Sequence, residues 1–376
     1  MKIKIFLVNA LPKAFLFGDF VVRGISYGGF SKVLGRSFKK SFIVLNCLVV
    51  ALQPMMTELA YAQEVVIDPN GNVGFAPSLQ RSSRPQVVDI ATPNSGGVSL
   101  NQYERFDVSS KGVVLNNSQD AVNTQIAGTI SGNANLTNGT ASTIVNEVTS
   151  TNSSSLNGSI EVAGDRAGVI VANPNGITCN GCNFINASNG TLTTGVPVVD
   201  GSNVRLNVTQ GTVTIGRNGL LGADNRVSNI NLIGRTDVVD GKVTAIDGIN
   251  VQGGAQSYDV IAGRAVSTLT GTGDTPDFVI DGSEYGAMEA GRIQIIGNER
   301  GLGVRTLGAV QSNSEDVKIY SQGNATVRSV FAQGRADLRA NYGTLTVERD
   351  VSSAEADAIL YARYKTVMSC PPKFGQ

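Results

Sequence analysis

The residues best suited to chemistry in this chain are two cysteines spaced as Cys179-Asn180-Gly181-Cys182. A Cys-x-x-Cys pair serves a zinc site, a redox couple or a local disulfide. Zinc takes four ligands, yet the chain has no histidine, and the next thiol, Cys370, is distant. A thioredoxin-type couple opens a helix, whereas Asn180-Gly181 favours a tight turn of the β type. A disulfide is the favoured reading wherever the compartment oxidises thiols. Closing so short a loop stabilises by only about 2 kcal/mol, which rigidifies a turn without deciding a fold.

Missing histidine also removes Ser-His-Asp triads, Cys-His dyads and imidazole bases. Asp237, Asp240 and Asp247 are the nearest thing to a carboxylate cluster, and turn chemistry explains them more simply than acid–base catalysis. Gly301-Leu302-Gly303 followed by Gly308 misplaces the third glycine of a dinucleotide loop and lacks a strand–helix setting. The sequence therefore offers no catalytic, metal or cofactor-binding site, and no cofactor is expected. Thirty basic side chains balance thirty acidic ones, so charge draws the chain to neither nucleic acid nor a membrane surface.

The elements that position these residues are short strands. Alternating apolar runs recur at Ile160 and Val162; Val204, Leu206 and Val208; Val213 and Ile215; Ile230 and Leu232; and Ile249 and Val251. They continue at Ile293 and Ile295, Val317 and Ile319, and Leu345 and Val347. Small or polar residues fill most intervening positions, as a strand with one buried face requires. Turn dipeptides sit between the runs: Asn138-Gly139, Asn157-Gly158, Asn189-Gly190, Asp200-Gly201, Asn218-Gly219, Asp240-Gly241 and Asp281-Gly282. The strands at Val204, Ile230 and Ile249 recur at the ~20–25 residues of one solenoid coil. Such a coil buries small aliphatics in a narrow core, and Asn at equivalent turns can stack in ladders. A two-sheet sandwich would need shorter, more regular spacing and more core aromatics, whereas this chain is 6% aromatic with no Trp. The expected fold is all-β: a right-handed parallel β-helix with short extra β elements and an N-terminal cap.

The first 62 residues read as an address. Lys2, Lys4, Lys13, Arg23, Lys32, Arg36, Lys39 and Lys40 precede an apolar stretch from Phe42 to Leu52, followed by Ala60-Tyr61-Ala62. That stretch suits a signal-peptide core and is short for a membrane span. The expected cleavage lies between Ala62 and Gln63, placing the mature chain in an oxidising periplasm that favours the Cys179–Cys182 disulfide.

Two longer stretches carry a family resemblance. One runs from Val88-Asp89-Ile90-Ala91-Thr92-Pro93-Asn94 through Gly97-Val98-Ser99, Asn101-Gln102-Tyr103 and Phe106 to Leu115-Asn116-Asn117-Ser118. The other includes Leu156-Asn157-Gly158, Glu161-Val162-Ala163-Gly164 and Val171-Ala172-Asn173-Pro174-Asn175-Gly176-Ile177-Thr178-Cys179. With Ile144-Val145-Asn146-Glu147-Val148 between them, they resemble the two-partner secretion domain of filamentous haemagglutinins, secreted haemolysins and contact-dependent inhibition toxins. The resemblance covers roughly residues 63 to 310. It implies secretion motifs at Asn173, Pro174, Asn175, Gly176 and Ile177, and at Asn133, Asn135 and Leu136, where Ala134 replaces a family proline. Proline presets a turn without an obligatory contact, so Ala134 weakens that turn modestly. Pro174 suits the second position of a turn and Asn175-Gly176 its left-handed corner. Two readings of these residues stay open: purely structural turns, or side chains contacted by the transporter.

The resemblance implies the N-terminal secretion and folding-nucleating module of a large adhesin, haemolysin or inhibition toxin, secreted or held at the cell surface via the periplasm. Its partners would be an outer-membrane β-barrel transporter with periplasmic docking domains, the Sec machinery and signal peptidase. A host or neighbouring-cell surface would be the parent's target. The alternatives are a β-helical polysaccharide-active enzyme, which needs clustered carboxylates or Arg in a groove, and an autotransporter passenger, which needs its own barrel. Residues 311–365 read as the first coils of a stalk. The rhythm is expected to break near Ala358, leaving 366–376 as an irregular tail of a truncated or frame-shifted product. Mass spectrometry of exported protein should find Gln63 as the first residue; intact material starting at Met1 in a membrane fraction would contradict the cleavage site.

Overall fold

The computed structural model describes residues 64–369 except 72–75, 82–84, 223 and 225. The Ala62–Gln63 cleavage site and Cys370 lie outside the described residues. Among those described, regular structure is all strand, with no α-helix.

Alternation sets the stacking. In Arg292–Gly297, Ile293 and Ile295 are wholly buried while Arg292 points outward. The next strands repeat the pattern in register, Ile293 facing Val317 and Ile295 facing Ile319. These pairings build one parallel sheet of eleven strands, with a single antiparallel member, Val65–Ile67, at its N-terminal end. Along it run Val98–Phe106, Thr143–Val148, Ala167–Ala172, Ala187–Thr193, Asn229–Ile233, Gly248–Gly253, Arg292–Gly297, Val317–Ser321, Ala336–Ala340 and Ala358–Ala362.

Two further sheets complete the coils. One stacks Gln86–Asp89, Val113–Asn117, Ser159–Gly164 and Asn183–Ile185 in parallel, with Ser78–Arg81 antiparallel on its end. The other carries, among others, Ser154–Leu156, Ile177–Cys179, Thr212–Ile215, Thr236–Val239 and Phe278–Gly282, and extends to Lys365–Met368. The result is the expected parallel β-helix, of the hand that parallel crossovers adopt. A continuous core runs through it, largely Val, Ile, Leu and Ala. Each Val, Ile or Leu there contributes about 1.5–3 kcal/mol by leaving water, and each Ala less. Large aromatics in that core, Tyr103, Phe106 and Phe184, are confined to the N-terminal coils.

Coil length divides into two classes. Rungs beginning at Ala167 and Ala187, or Gly248 after Asn229, follow at about the spacing expected for one coil, whereas Thr143, Asn229 and Arg292 begin roughly twice as far beyond the preceding rung. Each long interval holds an antiparallel insertion. The hairpin Val122–Thr124 with Gly128–Ile130 occupies the first. The others supply Val196–Asp200, Asn203–Val208, Gln256–Asp259 and Arg264–Thr268, which join in one four-stranded antiparallel sheet. This sheet packs Val204, Leu206, Val208 and Tyr258 against the outer side of the long sheet, over Val98, Val145, Ile170, Ala172 and Ile233.

Three expectations are corrected here. The strand at Val204 is not a coil of the solenoid: the rung paired with Ile230 on that side holds Gly190. Alternation reports one buried face in either setting, so it cannot tell a rung from a strand laid over the rungs. Asn189-Gly190 and Asp281-Gly282 are not turns, since both lie within strands. Nor does the rhythm break near Ala358, because Ala358–Ala362 and Lys365–Met368 pair onto the preceding rungs. Residues 366–368 thus belong to a strand and not to an irregular tail. The strand Gly303–Ser312 also passes residue 310 without interruption.

Gly190 is required by close packing. A Cβ there would sit 2.4 Å from two ring carbons of Phe184, and that ring is fully buried. Gly190→Ala is expected to destabilise by about 1–3 kcal/mol through overpacking. Gly168→Ala, whose nearest neighbour would be 3.7 Å away, should be near neutral in the same urea melts.

Candidate functional site

The two Asn motifs fold into the same corner twice. In the second, the Gly176 N–H donates to the Asn173 carbonyl at 3.0 Å, closing a four-residue turn with Pro174 and Asn175 at its centre. The Asn173 Oδ1 accepts from the Asn175 N–H at 2.9 Å, an Asx-turn nested inside the first. Its Nδ2 donates to the Asn152 carbonyl and to Ser154 Oγ, at 2.9 and 3.0 Å, on the preceding coil. The Asn173 N–H donates to the Thr193 carbonyl on the following coil at 2.9 Å. One wholly buried amide thus ties its own turn to the coil below while its backbone holds the coil above.

Asn133 repeats this geometry. Leu136 N–H closes the turn onto the Asn133 carbonyl at 3.2 Å, and Asn133 Oδ1 accepts from Asn135 N–H at 2.9 Å. The Asn133 Nδ2 donates to the carbonyls of Ile90 and Asn116, at 3.0 and 2.9 Å. Ala134 sits exposed where Pro174 sits in the other turn, so loss of the proline leaves the corner intact. Leu136 and Ile177, the apolar residues closing the motifs, both enter the main core.

The second Asn of each motif plays a lesser part. Asn175 is exposed, and its Nδ2 donates to the Ser150 carbonyl at 2.8 Å. Asn135 makes a longer bond to the Ile90 carbonyl, 3.2 Å. The expectation of a left-handed Asn175 is corrected: among described residues other than glycine only Asn186 and Arg226 have positive φ, and Gly176, at +107°, supplies the left-handed corner. Glycine takes that conformation without the Cβ clash that Asn incurs, so the turn places it there.

Directly after this corner, Ile177–Cys179 enters the core, and the sulfurs of Cys179 and Cys182 are joined across Gly181. Both cysteines are buried in the hydrophobic cluster. Cys182 also bridges to Leu220 on the next coil. Neither motif turn contains an ionisable side chain, so its chemistry is hydrogen bonding alone.

The carboxylates do not assemble. Asp237 lies inside the core while Asp247 is exposed at the surface. A groove of about 260 Å³ on the outside of the long sheet is lined by Asn189, Thr191, Asn231, Asn250, Arg292 and Gln294 among others, with no Asp or Glu. It lacks the carboxylate pair that glycoside hydrolysis uses. Composition did not signal the internal Asn network at Asn101, Asn117 and Asn146, whose amides also bond backbone carbonyls. Its one sequence cue is that these Asn residues fall within strand runs, where Asn is otherwise disfavoured.

Fold and corners together define a class: a capped parallel β-helix whose signature residues build turns between coils. The chain belongs to the two-partner secretion family, for the model of the TPS secretion domain matches residues 65–327. It is 42% identical over 289 residues to the tRNA nuclease CdiA of Yersinia mollaretii, covering 76% of this chain and 9% of that protein. It is 40% identical over 298 residues to the filamentous hemagglutinin of Bordetella pertussis, covering 77% of this chain and 8% of that one. The crystal structure of a filamentous hemagglutinin secretion domain superposes with a TM-score of 0.67 at 34% identity, over 81% of this chain and 100% of its own. The chain thus spans about a tenth of the length of these full-length relatives.

Asn173→Ala should cost about 2–3 kcal/mol, because it strands buried partners on two segments, and Asn175→Ala only about 0.5–1 kcal/mol. Ala134→Pro should be neutral or stabilise by about 0.4–1 kcal/mol by restricting the unfolded chain. Equilibrium urea unfolding of the three variants checks the order.

Proposed function

We propose that this chain is the N-terminal secretion and folding-nucleating module of a large exoprotein, an adhesin, haemolysin or inhibition toxin. Sec export and signal peptidase cleavage after Ala62 deliver it to the periplasm, where Cys179 and Cys182 pair. An outer-membrane β-barrel with periplasmic docking domains then receives it unfolded. Outside the cell, residues 63 to about 310 fold and seed the stalk that begins at 311–365. The parent's target on a host or neighbouring cell is read by segments beyond this chain.

The observation that carries this reading is the burial of Asn133 and Asn173, whose amides are consumed by internal bonds. A transporter can read those side chains only before the corners close. Recognition and turn formation are then successive uses of the same residues. Family membership supports the transporter itself.

The test is binding of the mature chain to the isolated docking domains of the partner barrel. Chain freshly diluted from urea is expected to bind, and binding should disappear as the chain folds. Asn173→Ala should weaken capture of the unfolded chain several-fold. Equal binding by the fully folded domain would contradict the reading.

A further inference from the structure

Asp237 occupies a core position on Thr236–Val239. It stands in register between Val213 and Ile280, and its same-face neighbour Val239 belongs to the hydrophobic core. Its exposure is 0%, and neither carboxyl oxygen completes a hydrogen bond. The backbone N–H of Gly234 lies near it and offsets little, and burial pushes its carboxyl well above the ordinary carboxylate range. No charged group offsets this: adjacent Arg235 is engaged by Glu299 and by the carbonyls of Thr272 and Asp274. The side chains beside it on the neighbouring strands, Val213 and Ile280, carry no charge.

Other buried carboxylates in the fold are partnered. Glu161 accepts from the backbone of Gln125 and Ile126. Asp259 accepts from Ala262 and Asn203, and Asp337 from Arg339 and Tyr320. Asp237 instead enters the core with both carboxyl oxygens unpartnered, so closing its rung strips the group of water with no hydrogen bond or counter-charge in return. Rungs of a solenoid are stabilised by their neighbours, so growth of the stack has to cross each one. An unfavourable rung in mid-stack raises the barrier between the N-terminal coils, which carry the Asn corners, and the coils that follow.

We propose that Asp237 is a folding brake, which delays closure of the rung at Thr236–Val239 and prolongs the interval in which the chain can be threaded through its transporter. The proposal rests on the reading that the chain crosses the outer membrane unfolded. A valine at 237 would continue the apolar column of Val213 and Ile280. An asparagine would keep the shape and any contact with Gly234 while removing the charge.

Refolding of the mature chain by dilution from urea, followed by far-ultraviolet circular dichroism, separates the cases. Asp237→Val is expected to refold about tenfold faster or more, and Asp237→Asn also faster than the parent. Unchanged or slower refolding of both variants would overturn the proposal, as would an effect confined to unfolding. Co-expression with the partner barrel supplies the second readout: the valine variant should be exported less and accumulate in the periplasm as a protease-resistant form. Export equal to the parent despite faster refolding would overturn the brake. Failure of the parent itself to be exported would instead defeat the transporter reading, and the brake with it.

Discussion

A stacked solenoid pairs its strands coil upon coil, but it leaves backbone groups at every corner without a ladder partner. Those groups are buried between coils, where water cannot reach them, and an unsatisfied one costs about as much as a lost hydrogen bond. In this chain Asn side chains meet that requirement. An amide offers both donors and an acceptor on a short stem, so Asn173 can satisfy its own turn and the coil below at once. Asn133 does the same earlier in the chain's path, and Asn117 links the Ala141 and Asp165 carbonyls. The rest of the fold follows from these corners being closed: strands arrive in register and apolar side chains fall into one column.

The two ends of the stack are built differently as a consequence. The N-terminal coils carry the buried Asn corners, the capping strands and the core aromatics. The later coils rely on aliphatic columns such as Ile293, Val317 and Ala336. A polar, bond-dependent end closes only when several partners are present together, which makes it cooperative. An aliphatic end adds rungs by burial alone. Asp237 lies where these two regimes meet, and its carboxylate is served by neither.

Much of this was legible in the sequence because a period of two and the Asn-Gly turns carry the fold class directly. Ile230 with Leu232 and Ile249 with Val251 are adjacent rungs, as their spacing implies. The strand at Val204 was misread because alternation marks a buried face without naming what covers it; the Asp200-Gly201 hairpin between two alternating runs was the available clue. Asn189-Gly190 looked like a turn, although Gly190 is small to admit the Phe184 ring, a contact made through space. At the corners, motif resemblance located the right residues, but the division of labour between Asn173 and Asn175 depends on which amide the coils enclose. No local pattern encodes that.

The amides of Asn133 and Asn173 are locked inside the folded domain by internal hydrogen bonds, which on the proposed function confines their recognition to the unfolded chain. Native-state hydrogen exchange of the Asn135 and Asn175 backbone N–H groups tests this locking most directly, since both donate to the amide oxygen of the preceding motif Asn. Both are expected to exchange only with global unfolding, as slowly as the strand amides of Ile170 and Val171, although Asn175 lies at the surface. Fast exchange of these two groups through local opening, with the neighbouring strands still protected, would contradict it.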